Sequence, residues 1–282
     1  MVTDSVQFFI QFCEKIFLIG GNIANRYRCH MTFILFCIAF PVSHAEQTVP
    51  NFVAHYNLTK GPLVIGKTIR SLTSIDNDRY LFESVTIPKG VATMFTDGKI
   101  TEQSIWTYRK QSVRPLEYSY KNTTSKTKRE IKLVFDWKAS SVTNIVNGTP
   151  WKMELLAGTQ DKLVYQLRIM LDLNKKRDNY EYLVADGGKI KKYQIKIVSE
   201  EDVETPLGKF HSIIVSITGK YRTTKLWCAP ELKFLPVKIE QNNPDESSVY
   251  AVLFKLEGIN IPTEVKPKNI PNNLEESNTS FE

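Results

Sequence analysis

With the first 45 residues set aside, few side chains in this sequence could do covalent or acid–base chemistry: Cys228, His55, His211 and strand carboxylates such as Glu102, Asp136 and Glu154. A cysteine nucleophile needs a thiolate beside a base, and the base need not be a sequence neighbour. Cys228, however, stands among Leu226, Trp227 and Ala229, an apolar setting that suits a buried, inert thiol. Two carboxylates could serve as general acid and base on a glycan or an ester. No spacing among Glu102, Asp136 and Glu154 forces any two together, so they read as solvated. Two histidines and one cysteine give no metal-ligand spacing. The serines form no nucleophile elbow, and Gly187-Gly188 reads as a hairpin turn rather than a phosphate cradle. The expectation is no catalytic residue, no metal and no cofactor.

The tryptophans are more informative. Trp106, Trp137, Trp151 and Trp227 lie on or beside strands, where aromatic rings mostly fill the inside of a curved sheet. A concave groove lined by some of them would suit an acyl chain, a lipidated peptide or a glycan. Trp106, Trp137 and Trp227 are the candidate ligand-lining residues.

Those side chains hang on a chain that alternates with period two. Phe52, Ala54, Tyr56 and Leu58 share one face of a strand; Ile131, Leu133, Phe135 and Trp137 share one face of another. Further strands read around 65–75, 80–87, 100–108, 116–120, 193–198, 210–218 and 249–256. Asp97-Gly98, Asn147-Gly148, Asp186-Gly187-Gly188 and Pro206-Leu207-Gly208 supply turn chemistry between them. The stretch LWCAPELKFLPVKIEQ reads as a strand ending at Pro230, a turn over Glu231 to Lys233, and a returning strand. One segment departs from the pattern. From Asp161, residues Leu163, Leu167, Met170 and Leu171 fall at helical spacing, with Asp161 placed to cap the start. The fold expected is mostly β: a large curved antiparallel sheet forming an open or partly closed barrel, with one amphipathic helix at about 160–173 covering or plugging it.

The front of the chain reads as a targeting segment. Arg26 and Arg28 precede the apolar run Met31 to Phe40, and Ser43-His44-Ala45 supplies small residues for cleavage after Ala45. The run is far short of the roughly 20 residues of a membrane-spanning helix, so no transmembrane anchor is expected in the mature chain. Residues 1–30 form an unusual extension, which favours translation from Met31 over Met1. Lipidation at Cys37 is disfavoured because Phe36 stands where a small residue is wanted. The expected organisation is an extension and signal peptide at 1–45, one β domain at 46–260, and a disordered Asn-, Pro-, Glu- and Ser-rich tail at 261–282.

Removing residues 1–45 takes three of 37 basic and two of 30 acidic residues, leaving a net charge of +6 on 237 residues. The basic residues are scattered, with small clusters at Lys126, Lys128, Arg129 and Lys132 and at Lys175, Lys176 and Arg177. That is no nucleic-acid stripe; its alternative use is weak attraction to anionic headgroups or envelope polymers. Cys228 alone survives cleavage, so no internal disulfide forms.

Three stretches together resemble a known bacterial exported family. They are Phe52-x-Ala54-x-Tyr56 followed by Ile65-Gly66; Phe135-Asp136-Trp137; and Thr205-Pro206-Leu207-Gly208-Lys209-Phe210 with the later Leu226-Trp227 and Leu235-Pro236-Val237-Lys238-Ile239-Glu240. Their order and spacing are similar to domain of unknown function 3108, over about Phe52 to Gly258. The resemblance implies a periplasmic protein with an open antiparallel barrel, similar to the half-barrels of lipoprotein carriers, and brings no catalytic residues. The function expected is a non-catalytic periplasmic or cell-envelope protein binding an apolar ligand such as a lipid or lipoprotein segment. A hydrolase of envelope glycans or esters, and a scaffold for another envelope protein, are the alternatives.

Overall fold

The computed structural model describes residues 50–262, apart from 77, 110–111, 125–127, 174–178, 187, 220–222 and 243–246. The leader, its cleavage site, Cys37 and Met31 lie outside the described residues, as does the tail beyond Pro262. Fourteen strands follow one another: β1 (Phe52–Lys60), β2 (Leu63–Ser74), β3 (Arg79–Pro88), β4 (Ile100–Arg109), β5 (Ser112–Asn122), β6 (Arg129–Asp136), β7 (Ser141–Val146), β8 (Thr149–Glu154), β9 (Asn179–Asp186), β10 (Lys189–Thr205), β11 (Gly208–Thr218), β12 (Thr223–Ala229), β13 (Leu235–Asn242) and β14 (Val249–Glu257). Among the described residues a single α-helix, α1 (Val164–Leu173), stands between β8 and β9.

All fourteen strands form one antiparallel sheet in the order β8-β7-β6-β5-β4-β3-β2-β1-β14-β13-β12-β11-β10-β9. Every neighbour is a hairpin partner except the central pair β1 and β14, where the first and last strands meet. The sheet is not closed: β8 and β9, consecutive in the chain, are its two edges. Register shifts at His55/Tyr56, Leu58/Thr59, Ile105/Trp106, Ile197/Ser199 and Trp227/Cys228 bend and twist the strands. Bending brings the edges together. Gln160, just before α1, donates its N–H to the Leu183 carbonyl at 2.7 Å and accepts from Ala185 at 2.8 Å, a short parallel bridge along β9. At the β9–β10 turn, Gly188 has φ +76°, and a Cβ there would lie 2.5 Å from the indole of Trp151 on β8. Only glycine lets that turn rest against the opposite edge.

A curled sheet of this size has a filling problem. About eight strands enclose a space that side chains alone can fill, and larger barrels leave a lumen. Here α1 lies inside. Val164, Tyr165, Leu167, Ile169, Met170, Leu171, Asp172 and Leu173 are all buried, so apolar contact surrounds the helix rather than one stripe of it. The helix joins inward residues of both halves of the sheet, among them Tyr56, Phe82, Trp106, Leu133, Ile195 and Leu253, in one core. Asp161 caps α1 as its position suggests: Oδ1 accepts the N–H groups of Leu163 and Val164 at 2.8 and 2.7 Å.

Strands β7, β8 and β9 are not apparent from alternation, although the Asn147-Gly148 turn between β7 and β8 is, with positive φ at both residues. Strand β10 extends well beyond 193–198 at both ends, because its bulge at Ile197/Ser199 interrupts the alternation. In the stretch 226–241, Pro230–Leu232 form a 3-10 turn and Lys233 and Phe234 carry positive φ before β13 begins. Pro236 sits in a central strand without cost because it lies at the β12 bulge opposite Cys228. Its carbonyl accepts the buried Tyr56 hydroxyl at 2.9 Å.

If α1 is core rather than a lid, truncating its centre should carry a full core penalty. Leu167→Ala is expected to cost about 2–5 kcal/mol, read as a lower urea midpoint at unchanged slope; a cost under about 1 kcal/mol would show a loosely seated helix.

Candidate functional site

The inside of the sheet holds a chain of polar groups that ties α1 in place. At its start, the Ser104 hydroxyl on β4 donates to Asp161 Oδ2 at 2.5 Å. At its middle, Arg70 on β2 donates from Nη1 to Gln166 Oε1 at 2.8 Å, with its guanidinium 5.7 Å from the Tyr56 ring centre. At its end, Asp172 Oδ2 accepts from Arg168 at 2.6 Å and from the Tyr182 hydroxyl at 2.9 Å, and the Asp172 carbonyl accepts from the Tyr180 hydroxyl. Beside Asp161, the Tyr118 hydroxyl donates to Glu102 at 2.8 Å. Burial, reinforced by the Glu102 charge, raises Asp161 to about 6 against the lowering effect of its Ser104 and backbone donors.

Of the three strand carboxylates, Glu102 alone enters this network. Asp136 caps its own turn, accepting from the N–H groups of Lys138 and Ala139, and Glu154 is exposed at the end of β8. Cys228 is fully buried, and burial pushes its thiol well above the ordinary value, so no thiolate is available near neutrality. His211 is exposed and paired with Asp202 and Glu200, which raise its pKa; His55 packs its ring 5.9 Å from Phe254. Among the described residues, no three His, Cys, Asp or Glu side chains converge to hold a metal ion.

The candidate tryptophans occupy three different settings. Trp106 is 2% exposed inside the sheet, stacked on Tyr80 at 4.8 Å. Trp137 follows β6, donates its indole N–H to the Pro115 carbonyl at 2.8 Å, and lies 5.5 Å under Arg114. It borders an open cleft of about 520 Å³ together with Asp76, Asp78, Arg79, Thr107, Arg114 and Leu116. Trp227 is buried beneath Lys238 at 4.4 Å and donates to Glu201. Trp106 and Trp137 approach the same residue, Pro115, while Trp227 lies in the other half of the sheet.

A different feature was not read from the sequence. Leu63 and Val64, at the β1–β2 turn, and Val91, Met94 and Phe95, in the β3–β4 connection, are exposed together. Met94 is 81% and Phe95 86% exposed, more than any other large apolar side chain described. The two loops are held side by side. Lys89 donates its N–H to the Ile65 carbonyl at 3.1 Å, and Gly90, with φ +57°, lies so close that a Cβ would be 2.6 Å from the Val64 carbonyl oxygen. A 3-10 turn, Gly90–Met94, then raises Met94 and Phe95 off the sheet. The signal was available: an apolar run, Val91 to Phe95, bracketed by Pro88 and Asp97-Gly98, is too short for a strand and has no helical stripe to bury it.

The family described as protein of unknown function DUF3108 matches residues 51–253. Among solved structures, a beta-barrel-like protein of the domain of unknown function DUF1849 from Brucella abortus is similar at a TM-score of 0.50 and 9% identity, covering 75% of this chain and 98% of its own. A Bacteroides fragilis protein with a YmcC-like fold gives a TM-score of 0.28 at 10% identity, covering 73% of this chain and 95% of its own. No curated protein matches the sequence.

The Asp161 environment makes a pH prediction with a definite sign. A carboxyl raised from 3.8 to about 6 in the folded state binds more protons folded than unfolded. Its contribution to stability is therefore best at low pH, falls as pH rises from about 4 to 6, and stays unfavourable above that. Asp161→Asn keeps the cap and the Ser104 contact without the charge. The stability difference, variant minus wild type, should rise by about 2–3 kcal/mol between pH 4 and pH 7 in denaturant titrations; a pH-independent difference would show that the carboxyl is not strained by burial.

Proposed function

The chain belongs to the DUF3108 family of proteins of unknown function, and we propose that it is a non-catalytic cell-envelope protein that binds an acyl-bearing partner, a lipid or the lipidated segment of a lipoprotein. The binding surface in this reading is the apolar rim of Leu63, Val64, Val91, Met94 and Phe95. The observation that carries it is the exposure of Met94 and Phe95 on loops that are themselves firmly hydrogen-bonded. Solvated apolar side chains of this size, grouped on a rigid support, mark an interaction surface rather than an unfinished core.

Energetics favours the rim over the interior. Admitting a ligand to the concave face requires α1 to leave. Re-exposing its buried Val, Leu, Ile and Met side chains would cost on the order of 10 kcal/mol at about 1.5–3 kcal/mol each, comparable with the whole stability of an ordinary domain. The rim asks for no such rearrangement. On this reading Trp106 serves the core, and Trp137 packs against its edge with its open side on the charged cleft. The non-catalytic part of the proposal is supported by the protonated, enclosed Cys228 and by the uses of the carboxylates: Glu102 is held by Tyr118, Asp136 by its own turn, and Glu154 stands in solvent. The periplasmic setting is supported by the leader at 1–45, which carries a basic stretch, an apolar run and Ser43-His44-Ala45.

A diacylated lipopeptide kept below its aggregation threshold is the direct probe. Titration into the full chain should give saturable binding, weakened about tenfold or more by Met94→Ser with Phe95→Ser, since each lost apolar contact of this size is worth more than 1 kcal/mol. Binding unchanged by that pair, or no binding at all, would remove the proposal.

A further inference from the structure

The same rim carries an excess of basic charge. Lys89 and Lys99 flank the loop that bears Met94 and Phe95, and both are exposed. The β5–β6 connection lies beside that loop: Thr123 donates its N–H to the Lys99 carbonyl at 2.9 Å, and Lys99 donates its N–H to Thr123 Oγ1 at 2.8 Å. This neighbour adds exposed Lys121, Lys128 and Arg129, against the acidic Asp97 and Glu130. The opposite end of the same strands is mixed in sign: Asp76 and Asp78 at the β2–β3 turn, Asp136 ending β6 and Glu154 ending β8 stand there with Arg79, Arg114 and Lys138. The basic excess thus lies at the apolar end, and the other end is close to balanced.

That pairing has a specific physical use. Apolar side chains raised on a short rigid turn can enter the boundary between headgroups and acyl chains, while lysines around them stay at headgroup level with their alkyl stems along the apolar surface. Each lysine near an anionic bilayer adds attraction that fades within a Debye length. A purely apolar partner would leave Lys89 and Lys99 unanswered, and a purely anionic one would leave Met94 and Phe95 in water. An anionic bilayer answers both.

We infer that this rim docks the protein onto the surface of an anionic lipid bilayer, with Met94 and Phe95 inserted and Lys89, Lys99 and Lys121 against the headgroups. The inference rests on the reading of the rim as a lipid-binding surface and names the bilayer itself as the place where acyl chains are met.

The test is co-sedimentation of the full chain with two kinds of vesicle: one part phosphatidylglycerol to two parts phosphatidylcholine, and phosphatidylcholine alone. Binding should strongly prefer the anionic vesicles and weaken as salt is added. Lys89→Glu with Lys99→Glu should reduce it by about tenfold or more. Met94→Ser with Phe95→Ser should reduce it comparably, with thermal unfolding unchanged because both side chains stand in solvent. Equal binding to both vesicles, or anionic binding that survives both double substitutions, overturns the inference. So does self-association that Phe95→Ser abolishes in a chain that ignores vesicles, which assigns the rim to a second copy. If the lipopeptide still binds while anionic vesicles do not, bilayer docking fails and the acyl-binding reading stands. If neither binds, both fail.

Discussion

Everything in this molecule follows from one topological constraint. Strands consecutive in the chain, β8 and β9, lie at opposite edges of a fourteen-stranded sheet. Fourteen strands about 4.8 Å apart make roughly 60 Å of sheet, with one apolar face to hide. The connection between the edges carries the only α-helix described, so the segment that joins them also fills what they enclose. The parallel bridge at Gln160 and the close approach of Gly188 to Trp151 hold the seam together without completing the barrel. Asp161, buried and uncomfortable as an anion, is the cost of starting a helix in that enclosed space. Two backbone N–H groups and the Ser104 hydroxyl offset part of it.

Filling the interior moves function outward. A half-open sheet with an apolar concave face suggests a carrier when read from sequence, and α1 occupies the volume a cargo would need. The residues left to meet another molecule are those that the fold presents without using. Cys228 and the inward tryptophan Trp106 belong to packing, whereas Met94 and Phe95 are held out by a glycine and a 3-10 turn that do nothing for the core. The basic side chains around them give the surface a preferred chemistry as well as a shape.

Much of the architecture was legible because antiparallel strands with one buried face must alternate. Phe52, Ala54 and Tyr56 point inward as their spacing requires, and Leu133 and Phe135 do the same. The helix was legible from Leu163, Leu167, Met170 and Leu171, but its burial all round was not, since Ile169 and Leu173 matter only once the sheet wraps it. Strand β8 was invisible because its side chains are exposed at an edge, and the length of β10 because a bulge breaks its period. The rim escaped notice for a related reason. Sequence patterns report what is buried, and Val91 to Phe95 have no partner in the chain to set a period. Asp161 was read as a cap; its partner Ser104, 57 residues away on another strand, is a product of the tertiary fold.

The central claim is a division of labour between an interior that stays shut and a rim that meets lipid. Hydrogen–deuterium exchange, followed by mass spectrometry with and without anionic vesicles, tests both halves in one measurement. The account predicts that α1 exchanges as slowly as β1 and β14 in either condition, and that residues 61–65 and 89–96 gain protection when vesicles are present. Rapid exchange of α1, or loss of its protection on adding lipid with the two loops unchanged, would show that the interior opens and would contradict the account.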